Sequence, residues 1–82
     1  MDARKDLVTA VDLALAGDWQ GAHAIVQRHE GTRDADWVHA VLHKIEGDEA
    51  NSRHWYRASG QFYESYADPW AELAAIRAAL SY

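Results

Sequence analysis

Gly17-Asp18, Gly31-Thr32, Gly47-Asp48, Gly60 and Asp68-Pro69 break this chain into pieces of helix length. A glycine can close one helix in the left-handed conformation while the Asp or Thr beside it caps the next. Pro69 directly after Asp68 marks a start, because proline at the first helical position forgoes no intrahelical hydrogen bond. The breaks predict helices over residues 3–16, 18–29, 34–46, 48–59 and 69–80. Residues 61–66, with Phe62, Tyr63 and Tyr66, suit either one helical turn or an aromatic-rich loop.

Hydrophobic spacing agrees with these breaks. Leu7, Val8, Val11, Ala14 and Leu15 recur on one side of the first helix, and Trp19, Ala22, Ile25 and Val26 on one side of the second. Trp37, Val38, Val41, Leu42 and Ile45 give the third the broadest apolar face. The last carries Trp70, Leu73, Ile76 and Leu80 among alanines, with Glu72 and Arg77 expected to keep part of it in solvent. No stretch sustains strand alternation. The expected fold is all-α: four to five short helices in antiparallel helical hairpins, one domain over residues 1–82.

An apolar fraction of 49% with four tryptophans and four tyrosines belongs to a folded globule. The lack of cysteine excludes disulfide scaffolds, thiolate metal sites and cysteine nucleophiles. A net charge of −5, with basic residues scattered among acids, argues against nucleic-acid binding, which leaves a basic footprint. No apolar run reaches the roughly 18 residues of a membrane span, and residues 1–15 lack a secretory-signal pattern. The expectation is a cytoplasmic protein with neither a nucleic-acid nor a membrane partner.

Two segments, "GDWQGAHAIV" and "GDEANSRHWY", each follow a helix and lie thirty residues apart. The first, which carries Ala22 and Val26 and is preceded by Leu13, resembles the helix-turn-helix of tetratricopeptide repeats. The spacing is shorter than that family's, the closing proline is absent, and Glu49 stands where the second copy would carry an aromatic. The stretch "HAVLHKIEGDEANSRHWYRASG", continued by "PWAELAAI", resembles a small uncharacterised bacterial helical family. Its signature runs His-x-x-x-His-x-x-Glu-Gly-Asp-x-x-Asn-x-x-x-Trp-Tyr, met here by His39, His43, Glu46, Gly47, Asp48, Asn51, Trp55 and Tyr56. Lys44, Ser52 and His54 depart from the family's Arg, Ala and Tyr. The resemblance implies a bacterial helical protein and brings no activity with it.

The densest chemistry lies in the same stretch. At 100° per residue, His39, His43 and Glu46 fall within about 60° of one another, away from the apolar face of their helix. Two imidazoles at i and i+4 can grip one metal ion, with a carboxylate one turn on as a third ligand. His23, His29 or His54 could add to them from neighbouring helices. The same stripe also suits local histidine–acid pairs between packed helices. Ala40 occupies the place where a hydrolytic zinc helix needs its glutamate, and no nucleophile elbow or phosphate loop is present, so the reading leans away from an enzyme without settling it. Asn51 is expected to turn inward, as a structural anchor or a ligand contact; of the adjacent aromatics, Trp55 is expected in the core and Tyr56 at its rim. Asp48 caps the fourth helix, and Glu46 and Glu49 complete a solvated acidic corner.

The leading expectation is a non-enzymatic module binding a protein or peptide along a flank lined by His39, His43, Glu46, Asn51 and Tyr56, with no cofactor. The alternative is a small metal-binding protein, or metal-dependent enzyme, holding zinc, nickel or another divalent transition metal on His39, His43 and Glu46 with help from His23 or His54. A third reading is a structural homodimer joined through the aromatic or alanine-rich surface.

Overall fold

The computed structural model describes residues 3–81. It contains α1 (Ala3–Leu15), α2 (Trp19–Gln27), α3 (Arg33–Glu46), α4 (Glu49–Ser59), one 3-10 turn (Tyr63–Ser65) and α5 (Pro69–Leu80), with no strand among the described residues. The all-α expectation holds, and the ambiguous segment before α5 is a 3-10 turn. Helix ends move by one to a few residues for local reasons. Past Gln27 the chain tightens, Arg28 N–H donating to the Ile25 carbonyl and His29 N–H to that of Val26, so α2 stops short of His29. Thr32 stands at the α3 N-cap without a side-chain bond, and Asp36 reaches back to accept from the Gly31 N–H.

The capping chemistry follows the punctuation. Asp18, Asp48 and Asp68 each accept a backbone N–H in the first turn of the helix they precede. Gly47 adopts φ +85° at the end of α3, and its N–H caps the His43 and Lys44 carbonyls. A Cβ at Gly47 would meet nothing within 4 Å, so the cost of a side chain there is backbone strain alone. Gly47→Ala is therefore expected to destabilise the domain by about 1–2 kcal/mol, read by urea unfolding; an unchanged midpoint would contradict the assignment.

Packing joins α1 to α2 and α3 to α4 as hairpins, each pair linked by only two or three residues, while α5 closes over α1 and α3. α3 is central, touching every other helix. Ala35, Val38, Ala40, Val41 and Leu42 lose all exposure, and Asp36, His39 and His43 are buried with them. This corrects the placement of the histidine stripe outside the core. A helical wheel gives angles between side chains, but α3 is covered all round, so no face at the histidine level meets solvent.

On α4 the inward line is Ser52, Tyr56 and Ser59, one residue round from the expected Asn51 and Trp55. Asn51 is exposed, Trp55 is half-buried and Tyr56 is buried. The reason is the close approach of α3: Ser52 is small enough to face it and donates its hydroxyl to the Ala40 carbonyl at 2.7 Å. Ser59 in turn bonds the Tyr56 carbonyl and receives the Gln61 N–H, shaping the exit of α4.

On α5, Leu73, Ile76 and Leu80 point inward as expected, but Trp70 is 45% exposed and Glu72 only 1%. Glu72 is buried because three donors from α3 and α4 meet it. Trp37 Nε1–H and the Tyr56 hydroxyl each donate to its carboxylate at 2.8 Å, and Lys44 Nζ lies 2.9 Å away. Lys44 also donates to the Tyr63 and Tyr66 carbonyls, both at 3.0 Å, and so fixes the 3-10 turn. Burial and the Glu72 hydrogen bond push the Tyr56 phenol far above its usual range, keeping it a neutral donor.

Candidate metal centre

α2 and α3 cross so that His23 of α2 meets His39 and His43 of α3. The Nε2 atoms of His23 and His39 face each other at 3.1 Å. His39 and His43, one turn apart, stack with ring centres 4.9 Å apart, and the His23 ring stands edge-on to both. One ligand nitrogen from each of the three lies within 4.8 Å of the others.

Two tryptophans wall the cluster. Trp19 stacks on His23 at 4.6 Å, and its own Nε1–H is tied to the Leu42 carbonyl at 2.6 Å. Trp55 stacks on His39 at 4.0 Å. These contacts hold the His23 and His39 rings in place before any ligand arrives.

The electrostatics favour the neutral form of the His39 and His23 rings. Burial, with the neighbouring His43, His23 and His54, pushes the His39 imidazole down to about 3. Burial and His43 also lower His23, partly opposed by the charges of Glu46 and Glu30. Neutral imidazole is the form that ligates a metal. His39 is also under-satisfied: its Nδ1 is buried with no hydrogen-bond partner, at a cost of about 1–3 kcal/mol if it carries the proton.

Glu46 accepts from His43 Nδ1. The carboxylate thus sets the proton on Nδ1 and leaves the Nε2 lone pair of His43 open, as acids behind metal-bound histidines do. A second grouping, His43 with Glu46 and Asp48, also falls within ligand range. Its acids are already occupied, Glu46 by His43 and Asp48 by the Asn51 N–H it caps.

The expected site residues therefore divide. His23, His39 and His43 converge, and Glu46 stands behind His43 in place of joining the three. His54 is exposed and sits edge-on to Trp55, outside the group. His29 is drawn away to Asp6 at 2.9 Å. Asn51 contributes its backbone N–H to the Asp48 cap, and Tyr56 serves Glu72. A partner surface lined by His39, His43 and Tyr56 is not formed, because all three are buried. Trp19 was expected only as core, and its wall position depends on how α2 crosses α3, for which no local sequence signal exists. Compared with protein-family models, curated proteins and solved structures, the chain matches none.

Proposed function

We propose that this chain is a small helical metal-binding protein that takes Zn²⁺, or another divalent transition metal such as Ni²⁺, on His23, His39 and His43. The observation that supports it is the convergence of three imidazole nitrogens from two helices within 4.8 Å. Nitrogens bound to a tetrahedral zinc at about 2.0–2.1 Å are about 3.3 Å apart; the His23–His39 pair already stands at 3.1 Å. An all-imidazole set suits zinc, nickel, copper or cobalt and does not suit calcium or magnesium, which need oxygen ligands.

Calorimetric titration tests this. Wild-type protein is expected to bind one zinc per chain, and His39→Ala to weaken binding by about a hundredfold or more, roughly 2.7 kcal/mol. Glu46→Ala is expected to weaken it by about 10–100-fold, the usual cost of losing the group that orients a ligand. Equal affinity in wild type and His39→Ala would overturn the proposal.

One observation favours a second reading, a protein- or peptide-binding module. A groove of about 250 Å³ lies between α4 and the 3-10 turn, lined in part by Arg57, Gly60, Phe62 and Tyr63. Phe62 at its edge is 69% exposed. A peptide carrying an apolar side chain and a carboxylate is expected to shift the amide resonances of Arg57, Gly60 and Phe62. An undisturbed spectrum at that groove removes the reading.

A further inference from the structure

We infer that the metal held by the three histidines keeps a fourth position for an exchangeable water or small monoanion. The inference rests on the metal-binding reading above. Zinc bound through nitrogen is almost always four-coordinate, and the group that converges here has three members. No other His, Asp or Glu among the described residues brings a ligand atom within the same range of all three. The chain has no cysteine to supply a thiolate.

Glu46, the acid nearest in role, cannot serve as the fourth ligand while it holds His43. It binds Nδ1, which leaves Nε2 as the nitrogen of that ring open to a metal. The Leu42 carbonyl on the same helix is taken by Trp19 Nε1–H. The fourth position therefore falls to solvent or to something dissolved in it.

The approach to that position is from α2. His39 and His43 are 3% and 6% exposed, whereas His23 is half-buried and carries the side of the cluster nearest solvent. Trp19 and Trp55 flank the rings and narrow the way in. Three neutral ligands leave the ion its full double positive charge, which draws an anion or lowers the pKa of a bound water. Glu30 and Glu46 place negative charge near His23, which disfavours polyanions more than singly charged anions and leaves water unaffected.

Cobalt substitution tests this, because tetrahedral Co²⁺ absorbs strongly in the visible and reports a change of ligand. Metal-free protein would be loaded with Co²⁺ and titrated with sodium azide, with inorganic phosphate and the His39→Ala variant run alongside. The expected result is a visible band, absent in His39→Ala, that azide shifts saturably at millimolar concentration and phosphate leaves unchanged. A band insensitive to azide overturns the open position and leaves the three-histidine site standing. No band in wild type overturns the metal-binding reading and the open position together. A phosphate shift equal to that of azide overturns the selection for small monoanions.

Discussion

Glu72→Ala is expected to cost the domain about 3–5 kcal/mol, the penalty for breaking a buried ion pair by removing one member. Domains of this kind are stable by about 5–15 kcal/mol in all, so the variant stands near its unfolding threshold. The side chain is only 1% exposed and faces three donors: Trp37 Nε1–H, the Tyr56 hydroxyl and Lys44 Nζ. Alanine removes the acceptor and leaves an ammonium, an indole N–H and a phenol in a space closed to water. The Tyr63 and Tyr66 carbonyls still receive Lys44, and its ammonium lies 4.8 Å from the centres of the Tyr56 and Tyr63 rings, which limits the loss. Lys44→Met should be comparably damaging, since it strands a carboxylate and releases the 3-10 turn. The Lys44→Met, Glu72→Gln double variant should lose less than the sum of the two single changes, by about 0.5–3 kcal/mol, because the partners share one network. Urea unfolding followed by circular dichroism measures all three. A loss below 1 kcal/mol in Glu72→Ala would mean that the network does not hold α5 in place.

Acid is expected to unfold the metal-free protein through the histidine cluster. The folded state holds His39 down at about 3, against 6.5 for the free side chain. Between those values the unfolded chain binds the extra proton, so stability rises with pH in that window. The contribution is complete above pH 6.5 and is lost at about 1.4 kcal/mol per pH unit as the pH falls toward 3. From His39 alone, moving from pH 6.5 to 4.5 removes about 2–3 kcal/mol, and the lowered His23 adds to the loss in the upper part of the range. His39→Phe keeps an aromatic against Trp55 and cannot charge, so its unfolding midpoint should vary less over that interval. Urea midpoints measured at several pH values decide it. The same pH slope in wild type and His39→Phe would show that His39 does not carry the effect.

The number of helices, their order and their aspartate caps were legible because the signals are local, whereas the expected Thr32 cap makes no side-chain bond. A glycine able to take φ +85° beside an aspartate states its role within a turn of chain. The stripe of His39 and His43 was legible in the same way, as was the pairing of His43 with an acid one turn on. Depth was not. The wheel placed the stripe off the core face, but α1, α2, α4 and α5 all pack on α3, and every residue from Val38 to His43 is buried. On α4 the error was one residue of rotation, which exchanged Trp55 for Tyr56 and Asn51 for Ser52. Large aromatics and amides draw attention as inward groups, whereas a serine at a close helix crossing is chosen for its small size. Partners distant in sequence left no local mark at all. His23 reaches His39 across sixteen residues and Lys44 reaches Glu72 across twenty-eight, and both meetings depend on how helices cross.

Where a metal sits is best measured by anomalous diffraction at the zinc absorption edge, from crystals grown with one equivalent of zinc. The expected result is a single peak about 2.0–2.1 Å from one nitrogen each of His23, His39 and His43. A peak on Glu46 and Asp48, or none at that cluster under saturating zinc, would make the three histidines an aromatic packing device and refute the metal-binding reading.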